Sequence, residues 1–558
     1  MRRLLSLSPL ELLCTLLLMV LILLPLGAVV QHAFFSDANA SFFDGVSKLV
    51  ADESFRRSVA TTLSGAAIGT LISLIIGTML AIVSERLQIP FRSLFRTIAF
   101  VPIIISPVGG AIAWVILASP QTGLLWKFTG ALGIEYVPNL YSYWGIVFVL
   151  GTFYAPYVYL IISNALGGLD ASLEEAASTF GARGWARLRT VTLPLMRIPA
   201  ISACLLVFSF MVAIFSIPTM IGRPGRVTYL STFTYQSIIN FPPNHTQAAL
   251  ISLLMVGILL VIQVARSRIV KGGRGEATVG GKGHRGATRV RPGVIGWIVV
   301  VLSLAYMFIA ALLPLLALVY AALRDSLFVL DLADLFDATR FSFAAFTSLQ
   351  EEWIGVIGRT ILVGVGTGAA GAVLGIVSVY TAMRAQSNPI TRWGSALTIG
   401  VTLPVAGIVI GLGYLWVSVQ TPFYGSIIYL IAALVAANVA QAYYTLQASY
   451  VQIGAELEES AAIYGARPMR RLLSIVGPVL VKPTVYMGLM IFIFAVRELG
   501  PILFIFNPSN RIISVEAFDY WSQGRTNLVA MASLLQSTLV LVVVVVVQAF
   551  FRNEDRRT

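Results

Sequence analysis

Long apolar runs alternate with short polar breaks along almost the whole chain. About 20 apolar residues suffice for a helix to cross the roughly 30 Å of a bilayer's hydrocarbon. The pattern predicts such helices near 9–34, 58–84, 94–118, 142–166, 197–221 and 246–268, and again near 294–322, 357–385, 393–419, 424–450, 481–506 and 527–551. The fold class predicted is an all-α polytopic membrane protein of about twelve transmembrane helices, six on each side of a polar linker at 269–293. The first run, from Leu10 to Val30, is longer than the roughly 7–15 residues of a signal-peptide core, so it is read as a retained span.

Two polar islands break this pattern in the same way. Residues 174–194 read EEAASTFGARGWARLRTVTLP and residues 458–478 read EESAAIYGARPMRRLLSIVGP, a constant offset of 284 with nine of 21 positions identical. Ser172 and Glu175 have the spacing of a capping box, so a helix should begin there. Gly181 is suited to end it in a left-handed turn, and Pro194 suits the start of the next helix. Gly65 and Gly69 in the second run are matched by Gly364 and Gly368 in the eighth, a spacing that lets helix backbones approach closely in lipid. Val101-Pro102 is likewise matched by Leu403-Pro404. The chain therefore reads as two tandem halves, 1–268 and 294–558, with the islands inside loops 170–194 and 454–478. Duplication in one orientation implies a pseudo-twofold axis along the membrane normal, with a pathway between the halves.

Composition agrees with a bilayer as solvent. Charged residues make up 11% of the chain and mean hydropathy is +0.87, against roughly 25% charged in a soluble domain. The net charge of +13 is gathered at the ends of apolar runs and in the linker, not in a basic stripe interleaved with aromatics, so nucleic-acid binding is excluded. Basic residues mark cytoplasmic loops. Met1-Arg2-Arg3 and the linker therefore face the cytoplasm, and the acidic loop after the seventh run faces outward. Both termini and both islands are then cytoplasmic. Cys14 and Cys204 lie inside apolar runs, with neither disulfide nor metal spacing. His32, His245 and His284 are far apart in sequence and each is expected in a loop. Around Gly280-Gly281-Lys282 the linker nearly matches a phosphate loop. Glu276 stands where the opening Gly should be and Gly283 where Ser or Thr is needed, so no nucleotide site is expected there. No cluster suggests a catalytic, cofactor-binding or metal site.

Glu-Glu-Ala-Ala with Gly181 and Leu193-Pro194, and Glu-Glu-Ser-Ala with Gly465 and Pro478, resemble the EAA loops of binding-protein-dependent ABC importer permeases. The resemblance implies the fused two-half type, a multi-pass protein of the bacterial inner membrane in contact with its lipid. It implies a transport subunit rather than an enzyme, with no cofactor of its own. Each island would be a coupling helix seated in one of two copies of a cytoplasmic ABC ATPase, which bind ATP-Mg. Glu174, Glu175, Ala177 and Gly181 would dock on one copy, and Glu458, Glu459, Ala461 and Gly465 on the other. The second island departs from the pattern, with Gly477 in place of Leu193 and Pro468 in place of Gly184. A periplasmic or lipid-anchored binding protein would deliver the cargo.

Segments 496–524 and 215–237 resemble the ferric-iron importers most, and their relatives for thiamine and 2-aminoethylphosphonate somewhat less. Ferric iron is the cargo this implies, with the other small solutes as alternatives. Arg497-Glu498 is the only adjacent pair of opposite charges inside a predicted span. Such groups either satisfy each other or line a pathway. A secondary transporter of twelve spans is the rival class. It does not need the islands, and the loop Ser84–Pro90 lacks the Gly-rich acidic and basic pattern of the major facilitator type.

Overall fold

The structure, a computed structural model, describes residues 9–554 apart from 36–41, 121, 134–137, 169–178, 181–187, 274–289, 325–331, 336, 348–349, 384–388, 403–404, 454–456, 458–459, 462, 465 and 467. The described residues are helical, with two isolated β-bridges. The first series comprises α1 (Pro9–Phe35), α2 (Glu53–Arg86), α3 (Arg92–Ile104), α4 (Pro107–Ala118), α5 (Tyr143–Gly167), α6 (Leu193–Ala213) and α7 (His245–Gly273). The second comprises α8 (Val294–Ala322), α9 (Gln350–Met383), α10 (Pro389–Thr402), α11 (Gly407–Ser418), α12 (Ile427–Tyr450), α13 (Gly477–Arg497) and α14 (Thr526–Glu554).

Ten helices among the described residues are long and apolar enough to cross a membrane, or eleven if the bent pair α3 and α4 counts as one. Two of the twelve predicted runs are therefore not continuous helices. The run 94–118 bends by 95° between α3 and α4. Proline explains the break. A residue before Pro is pushed out of the helical region, and Ser106, preceding Pro107, is extended at ψ 155°, with Ile105 at ψ 131°. The run 393–419 is likewise split into α10 and α11, with Ala406 extended at ψ 142°. The matched Leu403-Pro404 lies outside the described residues. α4 and α11 have 12 residues each, about 18 Å at the helical rise and too short to cross alone. The runs predicted at 197–221 and 481–506 also overreach, since α6 stops at Ala213 and α13 at Arg497.

Small residues set how the helices pack. α2 lies against α5 and α6, and α9 against α12 and α13. The Ser73 hydroxyl donates to the Gly151 carbonyl at 2.7 Å, across α2 and α5. A Cβ at Gly368 would lie 2.5 Å from the carbonyl oxygen of Gly488, so α9 and α13 meet backbone to backbone.

The first helix of each series crosses to the other. α1 packs on α10 and α11, and α8 packs on α4. The Thr15 and Ser395 hydroxyls share a buried hydrogen bond of 3.0 Å, and Tyr414 donates to the Leu21 carbonyl at 2.9 Å. From α8, Tyr306 donates to the Thr152 carbonyl at 2.9 Å. His32 and His245 are not loop residues: they lie in α1 and at the start of α7, gathered around Trp416. The His32 ring stacks on Trp416 with centroids 4.0 Å apart, and the Trp416 indole donates to His245 Nδ1 at 3.3 Å.

The loop after α2 is clamped by charge. Glu85 is 8% exposed and pairs with Arg92 at 2.8 Å and Arg96 at 2.5 Å. Val290, at the end of the linker, donates to the Arg86 carbonyl and accepts from the Gln88 N–H.

The close approach of α9 and α13 makes a prediction. Gly368→Val should lower stability by about 1–3 kcal/mol, the cost of forcing volume into a packed contact. Gly257→Ala, where an added Cβ meets nothing within 4 Å, should be neutral. Thermal unfolding in detergent measures both.

Candidate functional site

A cavity of about 110 Å³ lies where the two helix series meet. Tyr154, Phe210 and Ser216 line it from the first series, and Gly407, Arg497 and Glu498 from the second. Three helix interruptions converge there. α4 begins at Pro107, with Ser106 as its cap accepting from the Gly109 N–H at 3.1 Å. α11 begins at Gly407, and α13 ends at Arg497.

Arg497 is 4% exposed. Its Nη2 donates to the Ile105 carbonyl at 2.8 Å, a backbone acceptor at the α3–α4 break. Nε and Nη1 are buried without a hydrogen-bond partner. Arg497 and Glu498 form no ion pair among the described residues. Glu498 is half-buried. Its Oε1 lies where a Cβ on Gly407 would come within 3.1 Å of it. The adjacent charges thus face a shared cavity, and the arginine is tied to the opposite series by a backbone carbonyl. From α14, Gln536 donates to the Val496 carbonyl at 2.5 Å and further fixes the end of α13.

Glu174, Glu175, Ala177 and Gly181 of the first island lie outside the described residues, as do Glu458, Glu459 and Gly465 of the second. Ala461 is in helical backbone and half-buried. The Ala466 N–H donates to the Ala461 carbonyl at 3.0 Å, a bond of the span found at helix C-termini. Phe180 and Tyr464, related by the 284-residue offset, are each 91% exposed. Each island then joins its next helix through a π-turn, Leu188–Thr192 before α6 and Leu472–Val476 before α13, again at that offset. Neither the exposed aromatics nor the π-turns were expected from sequence, although both occupy positions that the offset pairs.

Residues 69–271 match the family profile of the binding-protein-dependent transport system inner membrane component. That stretch of the chain belongs to this permease family. The chain is 23% identical over 490 residues to the ferric transport system permease protein of Actinobacillus pleuropneumoniae, covering 86% of this chain and 68% of that one. Over 513 residues it is 22% identical to a Haemophilus influenzae chain provisionally assigned as a ferric transport system permease, covering 90% and 79%. A shorter relative, the molybdenum transport system permease protein of Azotobacter vinelandii, is 25% identical over 221 residues, which are 39% of this chain and 95% of that one. This permease is a transport subunit and not itself an enzyme.

The α4 cap at the cavity edge gives a second prediction. Ser106→Ala removes the side-chain acceptor for the Gly109 N–H and should cost about 0.5–2 kcal/mol. The unfolding midpoint of the purified permease should fall accordingly, and an unchanged midpoint would show that the cap does not hold the break.

Proposed function

We propose that the chain supplies both membrane halves of an ATP-driven, binding-protein-dependent importer. The observation that carries this reading is the pairing of the islands. Each has an exposed aromatic before its glycine and the same π-turn before its next helix, at one constant offset. A single headgroup-binding segment would need no such twin. The molybdenum permease relative, matched over nearly its full length by well under half of this chain, supports two halves fused in tandem.

In this reading both broken runs cross the membrane, giving twelve crossings. For the first, the α2–α3 loop bonds to Val290 at the basic linker. Beyond α4, the helix at Leu124–Ala131 packs against Leu332–Leu335 of the acidic loop. For the second, successive contacts climb along α1: Ser395 meets Thr15, Tyr414 meets Leu21 and Trp416 meets His32. The termini, linker and islands are then cytoplasmic, by the positive-inside rule.

Two copies of a cytoplasmic ABC ATPase, which bind ATP-Mg, dock on the islands, one on Glu174, Glu175, Ala177 and Gly181 and the other on Glu458, Glu459, Ala461 and Gly465. Phe180 and Tyr464 are the apolar anchors. ATP draws the islands together and opens the interface between the halves outward, where a periplasmic or lipid-anchored binding protein delivers cargo. Hydrolysis resets it. Arg497 and Glu498 line the path. Ferric iron is the cargo favoured by the names of the relatives matched over most of the chain. A phosphonate is the second reading, favoured by the free guanidinium donors of Arg497.

The permease should co-purify with two ATPase copies. Glu174→Lys and Glu458→Lys invert charge at a helix N-terminus and should weaken that association. Phe180→Ala and Tyr464→Ala should each do so by about 2 kcal/mol, roughly 30-fold, as for a buried aromatic anchor. At matched membrane insertion, uptake should fall in all four variants. Full uptake in all four would make the islands headgroup-binding segments. Uptake driven by an ion gradient without any ATPase would favour the secondary-transporter class.

A further inference from the structure

We infer that four aromatic rings between the two helix series form the outer gate of the path, held shut in this structure. Phe215 and Tyr235 come from the first series, Phe504 and Phe518 from the second. The inference rests on the importer reading and names where its path is closed.

The rings meet across the two series at the wall of the cavity. Phe215 lines the cavity itself. Its ring lies 5.1 Å from Tyr235 and 5.8 Å from Phe518, centroid to centroid. Tyr235 lies 5.8 Å from Phe504 and 6.0 Å from Phe518. Contacting aromatic pairs have centroids roughly 4.5–7 Å apart, so the four rings form one continuous cluster. Phe215 and Phe518 are 3% and 6% exposed, while Tyr235 and Phe504 are half-buried. The cluster thus runs from a partly exposed pair of rings to a buried pair, one of which faces the cavity. α6 and α13 lead away from the cytoplasmic islands, so the segments that follow them emerge on the outer side.

The repeat argues for a central position. Tyr235 sits in the helix Leu230–Ile239 and Phe518 in the helix Ile513–Ser522. The two helices begin 283 residues apart, as the two rings do. The Leu230 N–H donates to the Thr62 hydroxyl of α2 at 2.8 Å, and the Ile513 N–H to the Thr360 hydroxyl of α9 at 3.0 Å. Each helix is therefore pinned by its first N–H to its own series, in the same way. Tyr235 and Phe518 meet at equivalent positions, edge to face at 84°. Two equivalent side chains touch only near the axis that relates their halves, which is where a central path would run. A ring cluster there excludes water, and apolar constrictions gate by dewetting. Because each helix is pinned to its own half, parting of the halves separates Tyr235 from Phe518 and opens the seal.

The test uses the full chain with Cys14 and Cys204 replaced, reconstituted in vesicles. A membrane-impermeant thiol reagent is applied from the outer face to the Ser216→Cys variant, without nucleotide. Adding Phe518→Ala should speed labelling at least tenfold, and adding Tyr235→Phe, which keeps the ring, should not. A second arm combines Tyr235→Cys with Phe518→Cys in the complex with the ATPase and adds a short bifunctional thiol reagent. Cross-linking should be at least tenfold faster without nucleotide than with ATP trapped. That arm decides the matter if Phe518→Ala does not fold. The proposal is overturned by unchanged outer labelling in folded Phe518→Ala, or by equal cross-linking in the two states. Association with the ATPase is scored separately. Its absence would sink the importer reading, while labelling of the permease alone still decides the seal.

Discussion

Backbone polar groups inside a bilayer have no water to turn to, and that constraint organises this structure. A continuous helix satisfies them internally, and broken backbone at membrane depth is tolerated only where protein or a polar cavity supplies partners. The α3–α4 break shows how the requirement is met. Proline removes regular helix at Ile105 and Ser106, the Ser106 hydroxyl takes up the Gly109 N–H, and the Ile105 carbonyl is met by Arg497 from the other series. The break and the arginine explain each other. A buried guanidinium needs acceptors, and an interrupted helix provides one.

The same requirement places the cavity. Interrupted ends of α4, α11 and α13 gather at one place because each leaves groups that packed lipid cannot satisfy. Around that point the first helix of each series crosses to the opposite one, α1 onto α10 and α11, and α8 onto α4. The two series are therefore clasped at their flanks, while the cavity between them brings Arg497 and Glu498 among largely apolar walls.

Much of this was legible in the chain. The ten long helices follow from runs whose length alone decides the matter, and the constant offset of the islands announced a repeated design that the paired π-turns share. The breaks inside two of the runs were missed because mean hydropathy reports solvent and not direction. Ser106-Pro107 was the available signal, and it was outweighed by the apolar residues around it. Arg497 was singled out as a charge in an apolar run, but its partner lies 392 residues away in sequence. The meeting of His32 and His245 at Trp416 was equally hidden, for neither has local neighbours that predict the other. The Glu85 clamp was missed as well, since acid and bases in a short loop ordinarily signal only a solvated surface.

In the proposed cycle the cavity at Arg497 lies on a path that the ATPase opens to the two sides of the membrane in turn. Ser216 lines it and is 5% exposed, and Ser216→Cys is nearly isosteric. With Cys14 and Cys204 replaced, the most direct measurement is the rate at which a membrane-impermeant thiol reagent labels Cys at that position from each face of the membrane. It is made on the complex with its ATPase, without nucleotide and with ATP trapped. The account predicts that the reactive face changes between the two states. Equal labelling in both states, or none from either face, would contradict it.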